Sequence, residues 1–370
     1  MQEEFLHKKI NERKEGGAYR QLRFSEGKVD FCSNDYLGIA KNQLIEQAFP
    51  QDVRHGSTGS RLLSGNYPLI AEVEKEIAVF HDAVAGLVFN SGYDANLGLL
   101  SCVPQRGDTI VYDHLCHASI RDGIRLSFAE AFSFLHNDLS DLENKLQKAK
   151  GNIFVVTESV FSMDGDMAPL APITVLCERF GAQLIVDEAH ATGVIGEKGE
   201  GLVQQLGLQK KCFARVHTFG KALGCHGAVV LGSADLRHYL INFSRPFIYT
   251  TALPESSLAA IRIAYNIFPK LKTEREQLQQ LIRRFQEAGM KEPAIPGKIH
   301  ALLSNTPVQA AIVPGNDEVK RLSQRLANAG LDVRPILYPT VPRGAERLRI
   351  VLHSYNTAEE LTHLINLLAS

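Results

Sequence analysis

Apolar residues along the chain fall into two recurring patterns. Short apolar runs occur at Leu87-Val88-Phe89, Thr109-Ile110-Val111-Tyr112, Ile153-Phe154-Val155-Val156, Gln183-Leu184-Ile185-Val186, Val216-His217-Thr218 and Ala228-Val229-Val230-Leu231. They are strand-length, and amphipathic spacing between them predicts helices near 93–103, 117–126, 138–149 and 170–180. Buried strands separated by helices predict an α/β unit with a mostly parallel sheet covered on both faces. Upstream, the pattern predicts a polar helix from residue 1 to about 15 that ends at Gly16-Gly17. A strand is predicted at 28–32, and Ile70, Val73, Ile77 and Phe80 fall on one helix face.

After Pro254 the pattern turns more helical, at 254–267 and 273–288, until Pro293-Ala294-Ile295-Pro296-Gly297 breaks it. A smaller α+β unit is predicted beyond, with strands at 308–313, 331–336 and 347–352 and helices at 316–329 and 357–369. The expected organisation is therefore an N-terminal arm (1–40), a large domain (41–255) and a small C-terminal domain (256–370).

Composition narrows the partner. With 370 residues, 22% of them charged, and a formal net charge of -1, the chain has no global electrostatic reason to bind nucleic acid or an anionic membrane. A small-molecule ligand is expected. The N-terminus carries acids where a secretory signal is basic, and no apolar run approaches the ~18 residues of a membrane helix. Six scattered cysteines form no CxxC and no metal-ligand spacing, so a cytoplasmic location without disulfides or structural zinc is expected.

Polar residues collect where the apolar runs end, the place where ligands sit in such sheets. Asn90-Ser91-Gly92-Tyr93 opens a helix whose free N–H groups suit a phosphate, or simply forms a capped turn. His114 and His117 are three apart with no third metal ligand nearby, so a capping or hydrogen-bonded structural histidine is the first reading, and a ring stacked on a flat cofactor is the alternative for one of them. Glu158-Ser159-Val160-Phe161-Ser162-Met163-Asp164-Gly165-Asp166 lacks cation-loop spacing and places one carboxylate at a strand end.

Asp187 ends a fully apolar strand, where an ionised carboxylate needs a cationic or hydrogen-bonding partner such as a protonated pyridine nitrogen. His190 follows three residues on, within range of a ring hydroxyl. Lys221, in Thr218-Phe219-Gly220-Lys221-Ala222-Leu223-Gly224, sits among small residues just after an apolar run, which suits a Schiff-base amine, with Thr218 toward an anion. Together these features describe a site for pyridoxal 5′-phosphate, whose ring accepts electrons from an amino-acid Cα. The loop His55–Asn66, rich in Gly and Ser, lacks P-loop order and reads as a flexible loop near the site.

Read in order, Asn34-Asp35-Tyr36-Leu37-Gly38, Ser91-Gly92-Tyr93, His117-Ala118-Ser119, Glu158 through Asp166, Asp187-Glu188-Ala189-His190, Thr218 through Lys221 and Arg347-Leu348-Arg349 resemble the α-oxoamine synthases. These are pyridoxal-phosphate enzymes of the aspartate-aminotransferase fold type I, and the resemblance spans nearly the whole chain. It implies a seven-stranded large-domain sheet, a homodimer with shared active sites, and decarboxylative condensation of a small amino acid with an acyl-CoA. The stretch Phe247-Ile248-Tyr249-Thr250-Thr251-Ala252-Leu253-Pro254 favours the biotin-pathway branch, L-alanine with a pimeloyl thioester. Glycine C-acetyltransferase, 5-aminolevulinate synthase and serine palmitoyltransferase types are the alternatives, and a catalytically silent cofactor-binding protein is the alternative of another class.

The resemblance further implies residue roles. Lys221 bonds the cofactor aldehyde and later moves the Cα proton; Asp187 pairs the ring nitrogen, His190 the ring hydroxyl, and His117 stacks on the ring. Ser91, Gly92, Tyr93 and Thr218 hold the phosphate, joined by Thr250 or Thr251 of the partner subunit. Asn34, Glu158 and Ser162 line the reacting centre, Arg349 grips the substrate carboxylate, and Arg20 lies on the acyl side. Arg347 and Arg349 share one strand face, and only the resemblance chooses between them, leaving Arg347 to an ion pair on a solvated face. The chain departs from the family pattern at His55–Arg61 and at Gly224-Cys225-His226-Gly227.

Overall fold

The computed structural model describes residues 3–25, 27–291, 300–302 and 304–369. They form two compact units: Met1–Tyr36 with Met163–Asp166 and Glu276–Ser370, and Leu37–Ser162 with Met167–Arg275. The break expected at Pro293–Gly297 lies outside the described residues.

In chain order the elements begin with α1 (Glu4–Glu15) and β1 (Val29–Asp30), both in the first unit. The second unit holds α2 (Pro68–Phe80), β2 (Ala85–Phe89), α3 (Gly92–Cys102), β3 (Thr109–Asp113), α4 (Ala118–Leu126), β4 (Glu130–Phe134), α5 (Leu139–Leu146), β5 (Ile153–Glu158) and α6 (Leu170–Phe180). It continues with β6 (Gln183–Asp187), α7 (Leu202–Gln205), β7 (Cys212–Thr218), β8 (Ala228–Gly232), α8 (Ala234–Phe243), α9 (Arg245–Ile248) and α10 (Glu255–Ile267). After α11 (Lys272–Lys291) come β9 (His300–Leu302), β10 (Val308–Ile312), α12 (Asn316–Asn328), β11 (Leu331–Asp332), β12 (Arg334–Ile336), β13 (Arg347–Val351) and α13 (Ala358–Ala369).

The second unit is built on a seven-stranded sheet of order β2-β8-β7-β6-β5-β3-β4. Strand β8 runs antiparallel to both neighbours, and the other four pairings are parallel. Side chains alternate faces along a strand, so a sheet covered on both sides needs apolar residues at every position. One face takes Ile110, Phe154, Val156, Ile185 and Val216 into a core with Leu99 of α3 and Ile120 of α4. The other takes Val111, Val155, Leu184 and Val186 into a core with Leu142 of α5 and Ile173 of α6.

Several elements differ from the sequence pattern. Strand β4 was not expected because it is an edge strand with mostly exposed side chains, so it carries no apolar run. The strand expected at 28–32 shrinks to β1, paired parallel with β11, and the run 331–336 splits around Val333 into β11 and β12. Helix α10 packs on α2 within the second unit, so the division runs at 275/276 where a boundary near 255 was expected.

The loop 55–66, expected to be flexible, is tied down. Gly59 O accepts Ala252 N–H at 3.0 Å, Ser57 Oγ donates to Ala252 O, and Arg61 Nη1 reaches buried Glu74 at 2.7 Å. Glu74 also holds Arg237 at 3.0 Å, so Arg61 serves an internal ion-pair network.

In the first unit, a four-stranded antiparallel sheet has the order β12-β13-β10-β9. Strand β13 is internal and buried at all five positions, Arg347 and Arg349 included. The expectation of Arg347 on a solvated face is therefore corrected: it is 6% exposed and ion-paired with Asp164.

Candidate active site

The period-two alternation that fills the core also selects the site. Ile185 and Val156 face the α3–α4 side, so Asp187 and Glu158, two residues on, face that side too; Val216 does the same for Thr218. Where the strands outrun their helices, apolar side chains give way to polar ones.

Asp187 is 7% exposed. Its Oδ1 accepts the Ala189 N–H at 2.8 Å and its Oδ2 accepts Asn96 Nδ2 at 2.7 Å, which offset the cost of burying the carboxylate. Glu158 is its register partner on β5. Burial first, then the Asp187 charge beside it, pushes the Glu158 carboxyl well up from the ordinary range, against the opposing pull of the His117 N–H and Lys221. His190, in the turn after β6, is 5% exposed.

His117 caps α4. Its backbone N–H donates to Glu158 Oε1, and its Nδ1 lies 2.8 Å from Ser119 Oγ. Burial lowers the imidazole below its usual pKa, with Lys221 and Arg121 adding to the effect and Asp187 and Asp122 opposing it.

Ser91 caps α3, accepting the Asp94 N–H at 3.0 Å. A Cβ placed on Gly92 would stand 3.5 Å from Thr218 Oγ1, so the first turn of α3 and the Thr218 hydroxyl share one corner. Tyr93 turns outward and bonds Asp122. Within the chain Thr250 Oγ1 pairs with Asn90 Nδ2 at 3.0 Å, and Thr251 O with the same nitrogen at 2.8 Å.

Lys221 sits half-buried on the hairpin joining β7 to β8. Buried Phe219, Ala222 and Leu223 anchor that hairpin, and Lys221 O accepts the Gly224 N–H at 2.8 Å. Gly227 has φ +109°, and a Cβ there would come 2.9 Å from Leu253 and 3.1 Å from Phe89 O. A side chain at 227 would displace the loop that carries the lysine. Ser162 follows β5, half-buried.

The first unit holds the remaining residues. Arg349 Nη2 donates to Asn34 Oδ1 at 3.0 Å, and Tyr36 Oη donates to the same oxygen at 3.1 Å. Arg347 is occupied by the Asp164 carboxylate, whereas the Asn34 contact of Arg349 is to a neutral amide. Arg20 donates to Thr340 Oγ1 at 3.1 Å on the wall of a cavity of about 1180 Å³ between residues 6–20 and 315–346.

Two residues that sequence reasoning gave no role, Asn96 and Ser119, join Asp187 to His117. The available signal was a polar Asn on the helix face otherwise filled by Ala95, Leu99 and Leu100. Among the described residues, no group of three or more His, Cys, Asp or Glu is arranged to hold a metal ion.

The family model for aminotransferase class I and II matches residues 26–368. The chain belongs to that family. Among its relatives in the family, 8-amino-7-oxononanoate synthase of Emericella nidulans is 43% identical, covering 92% of this chain and 89% of that protein. The enzyme of the same name from Marinobacter nauticus is 38% identical over 98% and 95%.

Among solved structures, 8-amino-7-oxononanoate synthase from Francisella tularensis is similar with a TM-score of 0.78 and 30% identity, covering 93% of this chain and 97% of that one. A serine palmitoyltransferase from S. paucimobilis, solved with a bound PLP–myriocin aldimine, has a TM-score of 0.87 and 26% identity over 99% and 96%. The fold of this family member is the type I fold of the pyridoxal-phosphate-dependent transferases, as the resemblance implied.

Proposed function

We propose that this aminotransferase-family chain is a pyridoxal-phosphate-dependent acyltransferase. In this reading it condenses L-alanine with a pimeloyl thioester, with loss of carbon dioxide, to give 8-amino-7-oxononanoate and the free thiol. The observation that carries the reading is the buried Asp187 carboxylate, fixed by two donors at the end of β6 beside Glu158 and facing the helices that carry His117 and Gly92. Identities of 36–43% to enzymes of that name support the choice of substrates.

The residues suit the cofactor. Its phosphate needs anion donors, which the N–H groups of Gly92 and Tyr93 at the start of α3 would supply, joined by the Thr218 hydroxyl once it turns from Gly227 O, to which it donates at 3.2 Å, and by Thr250 or Thr251 of the partner subunit. Asp187 would keep a proton on the ring nitrogen, His190 would hydrogen-bond the ring hydroxyl, and His117 would cover the ring face. Bound pyridoxal phosphate supplies the electron sink that stabilises a carbanion at the amino-acid Cα.

The chain's own groups do the rest. Lys221 Nζ would hold the cofactor's aldehyde carbon, and as a free amine it would take the amino acid's Cα proton and later return one. Arg349, held by Asn34, grips the substrate carboxylate with a charge-assisted pair. Glu158, kept neutral by its surroundings, adds no second anion beside Asp187, and with Ser162 lines the reacting centre. Arg20 stands on the acyl side.

A homodimer in the cytoplasm completes the proposal. The arm exposes Leu22 and Phe24 almost fully and Phe5 for the most part, apolar surface that a second copy would cover. No described helix is long and apolar enough to cross a membrane. Serine palmitoyltransferase-type chemistry is the second reading, favoured by the high structural similarity to that enzyme.

A substrate matrix tests both readings. L-alanine, glycine and L-serine are each paired with pimeloyl, acetyl, succinyl and palmitoyl thioesters, and free thiol release is measured. Highest kcat/KM for L-alanine with the pimeloyl thioester is expected, and preference for L-serine with palmitoyl-CoA would replace the first reading with the second.

A further inference from the structure

Asp187 and His117 are connected through two side chains to which the proposed chemistry assigns nothing. Asn96 on α3 is 2% exposed and Ser119 on α4 is fully buried. A carboxylate only accepts hydrogen bonds, so the atom of Asn96 that faces Asp187 Oδ2 at 2.7 Å must be its amide nitrogen. The second N–H of that nitrogen reaches Ser119 Oγ at 3.1 Å.

With its oxygen accepting from Asn96, Ser119 has its hydroxyl proton left for His117 Nδ1, 2.8 Å away. The Ser119 backbone N–H faces the same nitrogen at 3.2 Å. Two donors converge on Nδ1, which is therefore the lone-pair nitrogen, and the neutral ring carries its proton on Nε2. Protonating Nδ1 would set one donor against another.

Helix spacing makes the connection possible. A Cβ on Gly123 would lie 2.9 Å from Leu100 Cβ and 3.0 Å from Asn96 O, so only a glycine there lets α4 approach α3 closely enough for Ser119, one turn earlier, to meet Asn96.

We propose that Asn96 and Ser119 are positioning residues. They form a relay from Asp187 to His117 that fixes the carboxylate and locks the histidine as its neutral, Nε2-protonated tautomer. The proposal rests on the reading of Asp187 and His117 as the groups that hold the cofactor ring. A fixed carboxylate keeps its charge aligned with the ring nitrogen, and an uncharged ring over the cofactor does not compete with Asp187 for that role. Around His117, Asp187 and Asp122 favour the cation, Lys221 and Arg121 oppose it, and Glu158 is engaged through the His117 backbone N–H.

The test uses the full-length protein labelled with ¹⁵N-histidine, with and without pyridoxal phosphate, His117→Asn identifying the signal. Wild type should show unprotonated Nδ1 and protonated Nε2 from about pH 6 to 9, a range at whose lower end an ordinary histidine would be largely protonated. Ser119→Ala should raise the His117 titration midpoint by about one pH unit, because the hydrogen bond to the neutral form is lost. Ser119→Thr, which keeps the hydroxyl, should behave as wild type.

In the loaded enzyme, Asn96→Ala should lower kcat about tenfold while the L-alanine KM moves less than about threefold, the split expected of a group acting only through Asp187. A proton on Nδ1, a midpoint unmoved by Ser119→Ala, or an Asn96→Ala kcat within about twofold of wild type overturns the proposal. Should Asn96→Ala not fold, the Ser119 pair decides. Failure to bind the cofactor or convert the substrates would remove the proposed reaction, yet the spectrum recorded without cofactor would still read the relay.

Discussion

Asp187→Asn changes one charge and one acceptor at nearly constant shape, which makes its cost calculable. Oδ1 accepts the Ala189 N–H at 2.8 Å and Oδ2 accepts Asn96 Nδ2 at 2.7 Å. An amide has one oxygen, so in either orientation its nitrogen meets a donor. Losing a hydrogen bond to a charged group costs about 1.5–3 kcal/mol, and leaving the buried donor without an acceptor adds about 1–3 kcal/mol. Relief of the cost of burying the Asp187 charge offsets part of this, and we expect a net loss of about 2–4 kcal/mol in unfolding free energy.

Urea denaturation of the cofactor-free protein at pH 7, with an unchanged m-value, reads that loss. In the loaded enzyme the missing anion should lower kcat by roughly 100–1000-fold, the equivalent of about 3–4 kcal/mol at 1.4 kcal/mol per tenfold. A variant within about 0.5 kcal/mol of wild-type stability, inside the range of an inconsequential surface change, would refute the reasoning.

The large-domain sheet was legible because its strands are buried on both faces and so read as unbroken apolar runs. Strand β4 was illegible for the complementary reason: an edge strand with solvent on its side chains has no such run. Asp187 stood out at the end of a fully apolar strand, and its observed burial and two donors match that position. Asn96 did not stand out, because a lone Asn within a helix becomes meaningful only once the carboxylate it meets, 91 positions away in sequence, is known.

Arg347 and Arg349 could not be separated by periodicity, since alternation places both on one face. The structure shows Arg347 ion-paired with the Asp164 carboxylate, and the contacts of Arg349 include the Asn34 amide. Loop 55–66 misled for a further reason: Gly and Ser mark flexibility only when nothing packs on them, and here Ala252 and Glu74 do.

Lys221→Ala should abolish the long-wavelength absorbance of the lysine-bound cofactor in purified protein; an unchanged spectrum would sink the assignment. Arg349→Ala should raise the L-alanine KM about 100-fold, for a lost charge-assisted pair worth about 2–3 kcal/mol, whereas the acyl-thioester KM should stay near wild type. Glu74→Ala leaves the Arg61 and Arg237 guanidiniums and the Val88 N–H without their shared carboxylate, so a loss of about 3–5 kcal/mol in urea denaturation is expected.

For Glu158→Gln the sign depends on pH. Burial and Asp187 raise the Glu158 pKa in the folded chain, so its contribution is fully present below the unfolded carboxyl value of about 4.3 and is lost as pH rises toward the folded value. Glutamine copies the protonated acid and keeps an acceptor for the His117 N–H. The variant should therefore gain on wild type as pH rises above about 4.3, by up to about 1.4 kcal/mol per unit, until the folded carboxyl ionises. Denaturation midpoints that differ by a constant amount across that range would mean that Glu158 is charged beside Asp187, and the neutral role assigned to it would fall.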